Sequence, residues 1–299
     1  MAELPANGGR FSKPRRLTFE EWINWPTAWT RDSQAVLFYS DRNGDLDIFR
    51  QGVNTREARA LVTGPDETRD PRLSSDGRWI LYLAWPRDGE RVRSGEGQLM
   101  RVAVGGGPPQ IVLRVAGYPG SARVDPPDSL TAKGHPRFRC PSVPQSPCVL
   151  SELVQSQVVF TAFDPVEGRK GELARINVKG DDFWDLSPDG RWIATGQLSG
   201  TDGRIRLLPL AGQAPREIFV SDWSFLESVA WAADGKALFV TGFASKGTPL
   251  LRVSLDGKAQ LLYRGSKYVE SLVPSPDGRH LAFGEVTPSS NAWVIENLR

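Results

Sequence analysis

Histidine and cysteine are scarce in this chain, with two of each among 299 residues. Such low numbers exclude most zinc sites and all scaffolds with several disulfides. Neither sign of charge is in excess, because 37 Lys and Arg face 35 Asp and Glu. We therefore expect neither nucleic acid nor a lipid surface as the main partner.

Long apolar stretches are also absent. No run reaches the about 20 residues of a membrane-spanning helix, so we predict no direct insertion into a membrane. The opening residues, MAELPANGGRFSKPRR, lack the apolar stretch of about 7–15 residues that marks a signal peptide. They leave open whether Met1 is the natural start.

Glycine, proline and tryptophan are the residues present in quantity, at 30, 23 and 10. Hydrophobic residues make up 39% of the chain and charged residues 24%, which is typical of a folded domain with a sizeable core. Abundant turn formers with a high tryptophan content favour an all-β fold.

One short phrase recurs along the chain with a period of about 44 residues. Its most complete copies, Ser187–Arg191 and Ser275–Arg279, read Ser-Pro-Asp-Gly-Arg. The aspartates of all copies are Asp32, Asp76, Asp189, Asp234 and Asp277. The long interval in the middle equals two periods plus about 25 residues, so we infer one disguised copy and six units in all.

Each unit predicts four antiparallel strands. The Asp-Gly pair suits a hairpin turn, because glycine tolerates positive φ and aspartate bonds its own backbone. The strand that follows, such as Trp79–Trp85, is apolar at nearly every position, which indicates burial on both faces. Four strands per unit and six units predict a six-bladed β-propeller.

We expect a flexible N-terminal segment over 1–13 and a single propeller over 14–299. The disguised third unit lies between Pro136 and Ile176, and a Gly/Pro/Asp-rich insertion at about 116–134 precedes it. The insertion is predicted to be an irregular loop on one rim of the ring.

The sixth unit lacks a fourth strand, because its third strand, Asn291–Arg299, ends the chain. The segment Pro14–Thr18 resembles the outer strands of other units. We expect this N-terminal segment to pair with the C-terminal blade, which closes the ring and leaves fewer exposed strand edges.

The repeats resemble those of the TolB-like family of six-bladed propellers. That family repeats Ser-Pro-Asp-Gly followed by Arg or Lys, and often adds Ser-Asp-Arg-x-Gly-x-x-Asp-Ile. Here Ser187–Arg191 and Ser275–Arg279 match the first phrase, and Ser40–Ile48 matches the second. The resemblance covers about 14–299.

A narrower resemblance lies in the third unit and at the C-terminus. These parts are similar to propellers fused to bacterial serine/threonine kinases or winged-helix regulators. The residues that carry this likeness are Phe138–Cys140, Cys148–Glu152, Phe163–Pro165, Glu172–Ile176 and Asn291–Trp293.

The resemblance implies a recognition or scaffold propeller that binds a protein or peptide at one face of the ring, with a small ligand as a further option. It would be the sensor domain of a bacterial signalling protein, periplasmic or extracytoplasmic, and monomeric. We expect no enzymatic activity and no cofactor. The alternatives are a freestanding TolB-type periplasmic docking factor and a propeller hydrolase or lyase.

Cys140 and Cys148 flank a seven-residue loop between two strands that we expect to pair. Opposed residues of an antiparallel ladder have Cα atoms about 4.5–5.5 Å apart, within reach of a disulfide. We favour a disulfide, which would imply an oxidising compartment. Two reduced thiols are the alternative, and a metal site lacks further ligands nearby.

Three catalytic or metal-binding interpretations are disfavoured. The loop Asp41–Asp47 has Leu46 and Val53 where a calcium-binding EF-hand needs Gly and Glu. His280 occupies a repeated position, His135 ends the insertion, and no Gly-x-Ser-x-Gly motif exists to build a catalytic triad. Carboxylates are too numerous for a glycosidase pair to stand out.

The first residues of the inner strands line the predicted channel. Seven residues before the turn aspartates lie Trp25, Arg69, Asp182, Glu227 and Glu270. The three carboxylates occupy equivalent places in consecutive blades, so we expect them to converge at one mouth of the channel. They can contact a cation or a basic peptide, or they can form a hydrated rim balanced by Arg69.

The tryptophans divide into two groups by position. Those at repeated positions are predicted to pack between blades, and they are Trp79, Trp192 and Trp231. Those near strand ends or in loops are candidates for an exposed contact surface, and they are Trp22, Trp25, Trp85 and Trp223.

Overall fold

The computed structural model describes residues 2–3, 14–19, 22–88, 91–92, 97–116, 129–130, 136–177, 182–197, 202–244, 247–265 and 268–286. Within these ranges the chain forms strands and turns, and contains no α-helix. In particular, none of these residues forms a helix long and apolar enough to cross a membrane.

The strands of the first half are β1 (Ala2–Glu3), β2 (Asn24–Trp29), β3 (Ala35–Ser40), β4 (Asp47–Gly52), β5 (Ala58–Val62), β6 (Glu67–Leu73), β7 (Trp79–Trp85), β8 (Arg87–Asp88), β9 (Arg91–Val92), β10 (Gly97–Ala103), β11 (Gln110–Val115), β12 (Ser129–Leu130) and β13 (Arg137–Arg139). Those of the second half are β14 (Cys148–Val154), β15 (Gln157–Asp164), β16 (Gly168–Asn177), β17 (Asp182–Leu186), β18 (Trp192–Gln197), β19 (Arg204–Pro209), β20 (Arg216–Phe219), β21 (Leu226–Trp231), β22 (Ala237–Gly242), β23 (Thr248–Ser254), β24 (Ala259–Gly265), β25 (Tyr268–Pro274) and β26 (His280–Val286).

These strands form six antiparallel blades, and the predicted six-bladed β-propeller is confirmed. Blade 1 contains β2 to β5, blade 2 contains β6, β7, β10 and β11, blade 3 contains β13 to β16, blade 4 contains β17 to β20, and blade 5 contains β21 to β24. Blade 6 contains β25 and β26 with β1 at its edge. The short strand β12 of the insertion adds to the inner strand of blade 4.

The repeated Ser-x-Asp-Gly phrase forms the predicted turn between the first and second strands of a blade. In blade 4 the Ser187 hydroxyl donates to Asp189 Oδ1 at 2.6 Å, and the Trp192 amide donates to Ser187 Oγ at 2.9 Å. Gly190 has a φ of 73°, which a side chain would oppose. The phrase therefore encodes a closed hairpin turn.

The core is a ring of apolar clusters between neighbouring blades. It buries both faces of the second strands, so that every residue of β3 and β22 is buried, as their apolar sequences predicted. Between blades 3 and 4, Phe160 and Trp184 meet edge to face with ring centroids 5.1 Å apart. Each blade is therefore held by its neighbours on both sides.

The N-terminal closure of the ring is confirmed, but the pairing segment differs from the prediction. Strand β1 pairs with β26, with Ala2 opposite Leu281. Pro14–Thr18 forms no strand. Its backbone is bound by blade 1 instead, because Gln51 Nε2 donates to Leu17 O at 2.9 Å. The expected third strand at Asn291–Arg299 lies outside the described residues.

Blades 6 and 1 are joined by side chains as well. Trp29 Nε1 donates to Val273 O at 2.7 Å, and the Asp277 amide donates to Ser33 Oγ at 3.2 Å. Both contacts join residues 244 positions apart in the sequence. They close the ring independently of the pairing by β1.

Candidate functional site

The two faces of the ring carry different parts of each blade. Inner strands run from one face to the other, and the Ser-x-Asp-Gly turns lie where they end. We call this side the turn face. The opposite side, which carries the first residues of β2, β6, β13, β17, β21 and β25, is the mouth face. In blades 1 to 5 the chain runs through four antiparallel strands, so each outer strand ends on the mouth face, where the next inner strand begins.

Arg69 lies on β6 and is buried. Its Nε donates to Glu67 Oε1 of the same strand at 2.6 Å. The arginine predicted to balance the carboxylates of other blades therefore has a carboxylate partner in its own blade.

The three predicted channel-mouth carboxylates lie on inner strands that contact one another, β17 with β21 and β21 with β25. Glu227 is partly buried at a β-bulge between Leu226 and Ser228. Asp182 pairs with Leu130 of the insertion strand, and Glu270 pairs with Gly284. For Asp182 and Glu270 the structure describes the backbone alone, so their convergence stays a prediction.

The insertion reaches the innermost strand at this mouth. Its residues Ser129 and Leu130 pair with Phe183 and Asp182 on the side of β17 that faces away from the rest of blade 4. Part of the long connection therefore lies beside the first of the three carboxylate positions.

A buried arginine that the sequence analysis did not single out links three blades. Arg139 of β13 is 5% exposed, and its Nε donates to Asp185 Oδ1 of blade 4 at 2.9 Å. Its Nη1 lies 3.9 Å from Asp70 Oδ2 of blade 2. The guanidinium carbon also lies 5.4 Å from the ring centroid of Trp184.

The same polar network continues into blades 1 and 5. Asp70 accepts from Arg72 Nε at 3.2 Å, and Arg72 Nη1 donates to Thr27 O of blade 1 at 2.8 Å. On the other side, Asp185 Oδ2 accepts from the Trp231 amide of blade 5 at 2.8 Å. Charged residues of the inner strands in blades 2 to 4 therefore bind the ring together.

The predicted exposed tryptophans are correct in part. Trp22 is 50% exposed on the mouth face, and Trp223 is partly exposed beneath the guanidinium of Arg264. Trp25 is only 7% exposed and Trp85 only 1%, so the prediction is wrong for these two. Trp25 packs with Ile23 and other apolar groups of blade 1.

The burial of Trp85 has a local cause. Its indole lies against Gly97 of the next strand, where a Cβ would collide with the ring. Among the repeat-position tryptophans, Trp231 is buried, whereas Trp79 and Trp192 are half-buried beneath Arg101 and Arg216.

Three exposed aromatic residues of blades 5 and 6 form a patch on the mouth face. Phe225, Phe243 and Tyr268 are 46%, 42% and 39% exposed. The rings of Phe243 and Tyr268 meet edge to face with centroids 5.8 Å apart, and the Phe243 amide donates to Phe225 O at 3.1 Å. We call these three residues the aromatic patch. These three residues were not predicted from the sequence, because only tryptophans were considered there as exposed aromatic contacts.

The disulfide predicted between Cys140 and Cys148 is confirmed, with Cα atoms 4.2 Å apart. In blade 2 the amide of Ser74 donates to the carbonyl of Trp79 across the equivalent end of the hairpin. The disulfide therefore lies where other blades close their turn with backbone hydrogen bonds.

The acidic loop Asp41–Asp47 of blade 1 joins β3 to β4 as a hairpin. Asp41 Oδ1 accepts from the Ile23 amide at 2.9 Å, and Asp45 pairs with Arg87. Burial raises the pKa of Asp47, which also accepts from Asn43 Nδ2 at 2.8 Å. Nowhere in the described ranges do three His, Cys, Asp or Glu side chains group closely enough to hold a metal ion.

The described histidine belongs to a turn. The His280 amide donates to Ser275 Oγ at 2.9 Å, and its ring centroid lies 5.7 Å from that of Trp29. His135 lies outside the described residues.

Comparison with known proteins shows the fold. No protein-family model and no curated protein matches the chain. Among solved structures, TolB from Acinetobacter baumannii gives a TM-score of 0.60 at 13% identity, over 88% of this chain and 61% of that one. A chain of the nidogen–laminin complex gives 0.55 at 12% identity, over 81% and 80%. The propeller thus has TolB-like structural neighbours.

The structural neighbours also include an enzyme. An oligogalacturonate lyase in complex with manganese gives a TM-score of 0.57 at 18% identity, over 86% of this chain and 69% of that one. The expectation of no enzymatic activity is therefore wrong as an inference from this fold and its few histidines. Because the structural neighbours include TolB as well as an enzyme, and all have low sequence identity to this chain, the function stays open.

Proposed function

We propose that this propeller is a recognition domain that binds a protein or peptide at its mouth face. The observation that carries the proposal is the aromatic patch, because large apolar side chains exposed together on one face are typical of interaction sites. Aromatic residues are also enriched at the centres of protein interfaces.

The distribution of charge supports the same face. The inner strands of blades 4 to 6 contain no Lys or Arg, and they carry Asp182, Glu227 and Glu270 at the mouth. Arg69 of blade 2 and Arg139 of blade 3 have carboxylate partners inside the ring. The predicted convergence of these carboxylates would make this half of the mouth acidic, which favours a basic partner segment.

The proposed setting is the sensor domain of a bacterial signalling protein outside the cytoplasm. The Cys140–Cys148 disulfide supports an oxidising compartment. The TolB-like neighbours support a protein-docking role, and a freestanding docking factor would use the same face. Fusion to a kinase or regulator rests only on the resemblance of the third blade and of Asn291–Trp293.

The test uses short peptides selected from a random library against the immobilised chain. Selected peptides should bind the triple variant Asp182→Asn, Glu227→Gln, Glu270→Gln at least about tenfold more weakly, because the loss of facing charges costs more than about 1.4 kcal/mol. Isothermal titration calorimetry measures the change.

A matched control neutralises three carboxylates away from the mouth, Glu167, Glu172 and Glu217, each to Gln, and should leave affinity unchanged. Equal binding by both triple variants would contradict the mouth face. Failure to enrich any peptide would contradict peptide recognition. Turnover of oligogalacturonate with Mn²⁺ present would replace the proposal with an enzymatic function.

A further inference from the structure

Blades 5 and 6 begin with the same four-residue pattern of an aromatic residue, an aliphatic residue, Glu and Ser. The two copies are Phe225–Ser228 and Tyr268–Ser271. Their glutamates are the equivalent mouth positions Glu227 and Glu270, so Phe225 and Tyr268 are equivalent as well. The pattern occurs in neighbouring blades whose inner strands contact each other.

The second and fourth residues of each copy belong to the core, whereas the aromatic first residues do not. Leu226, Ser228, Val269 and Ser271 are buried. Phe225 and Tyr268 keep 46% and 39% of their surface exposed. The strands therefore anchor the two aromatic residues from behind and present them at the surface.

Phe243 joins the two copies into one surface. It follows Gly242, where a Cβ would collide with the carbonyl oxygen of Phe225. Its amide binds that same oxygen, and its ring contacts Tyr268. The positions of the patch residues are thus set by backbone contacts, which lowers the ordering cost of binding.

The fold does not require these aromatic residues to be exposed. Trp85 is the blade 2 equivalent of Phe243, and it is buried. Glu67, equivalent to Phe225, pairs with Arg69, and Ile23 packs in blade 1. The exposed aromatic surface is particular to blades 5 and 6.

Acidic residues neighbour the aromatic patch. Glu227 and Glu270 follow the aromatic residues toward the channel, and the exposed Glu285 lies opposite Val269 on β26. A segment crossing the patch thus meets apolar surface first and carboxylates next, on the side of the channel.

We propose that the aromatic patch is the anchoring site for an extended partner segment that presents an apolar side chain followed by a Lys or Arg. The apolar side chain packs on Phe225, Phe243 and Tyr268, and the cation extends toward Glu227 and Glu270. This inference rests on the proposed function and names the surface and the partner chemistry.

The test compares Phe225→Ala and Tyr268→Ala with Phe219→Ala, a control for a phenylalanine that is 55% exposed on the outer strand of blade 4. The probes are the selected library peptides and versions with each Lys or Arg replaced by Gln. Each patch variant should weaken binding about tenfold or more, as truncation of an aromatic anchor does. The control should bind as the unaltered chain does, and Tyr268→Phe should retain affinity.

Circular dichroism and the melting temperature of each variant show whether it is folded. If an alanine variant is not folded, hydroxyl-radical footprinting of the unaltered chain supplies the test, because bound peptide must then protect Phe225 and Tyr268 from oxidation. Loss of binding in the carboxylate triple variant, but not in the patch variants, would overturn this inference and leave the mouth-face proposal standing. Binding that is insensitive to both sets would overturn both. Selected peptides without an apolar–basic pair would overturn the partner chemistry.

Discussion

Arg139 shows how a single buried charge can organise a propeller. Its guanidinium lies between Asp70 and Asp185, which come from the blades on either side. A buried ion pair is costly to break, because removing one partner leaves the other charged group buried without compensation. The network therefore favours one arrangement of blades 2, 3 and 4 around the channel.

We predict that Arg139→Met lowers the free energy of unfolding by about 3–5 kcal/mol, since it leaves the buried Asp70 and the partly buried Asp185 facing an apolar side chain. Urea denaturation followed by tryptophan fluorescence measures the change. The control is Arg175→Met, which removes an exposed ion pair with Glu172 and should cost no more than about 1 kcal/mol. Equal effects of the two substitutions would contradict a structural role for the Arg139 network.

At the residue scale, the sequence predicted only what the alignment of the repeats makes visible, namely which residues occupy equivalent positions. Glu227 and Glu270 stand out because aligned units place them at one position. The burial of Trp25 and Trp85 does not follow from their positions near strand ends, because it depends on which neighbouring strand or loop covers them. The pairing of Arg139 with Asp185 depends on contacts between blades, which spacing along one chain does not report.

The hairpin of blade 3 is the element that departs most from the repeat. The hairpins of blades 2, 4 and 6 use a Ser-x-Asp-Gly turn, whereas here a Pro- and Ser-rich loop joins β13 to β14. The disulfide between Cys140 and Cys148 closes this longer loop directly beside Arg139. It thereby holds the strand that carries the arginine between blades 2 and 4.

Replacing both cysteines with alanine should lower the free energy of unfolding by about 2–4 kcal/mol, because the unfolded chain regains the freedom that the cross-link removed. Denaturant titration with and without dithiothreitol measures this. Reductant should destabilise the unaltered chain by a similar amount and leave the double variant unchanged. A variant as stable as the unaltered chain would contradict a stabilising role for the cross-link.

At the scale of strands, apolar runs and the turn phrase predicted most of the architecture. The prediction failed at Pro14–Thr18, whose sequence resembles an outer strand. Blade 1 binds this segment through Arg15 and Gln51, and β1 takes the edge of β26. Composition alone does not distinguish a strand from an extended segment whose backbone is bound by side chains.

At the scale of the whole molecule, the two faces of the ring carry different features. The turn face consists of hydrogen-bonded hairpins, and their aspartates serve the turns: burial raises the pKa of Asp277, but hydrogen bonds such as that from Ser275 outweigh it and hold the pKa below its usual value. The mouth face carries the first residues of the inner strands, the insertion residues Ser129 and Leu130, and the aromatic patch. The fold followed from the repeat, whereas the patch required knowledge of which aromatic residues remain uncovered.

The central claim is that partners bind at the aromatic patch on the mouth face. Hydroxyl-radical footprinting of the intact chain, with and without a saturating selected peptide, tests it most directly. We predict that the peptide slows oxidation of Phe225, Phe243 and Tyr268 and leaves that of Phe219 unchanged. Unchanged oxidation of the three patch residues, with protection at Val143 or Leu255 on the turn face instead, would contradict the account.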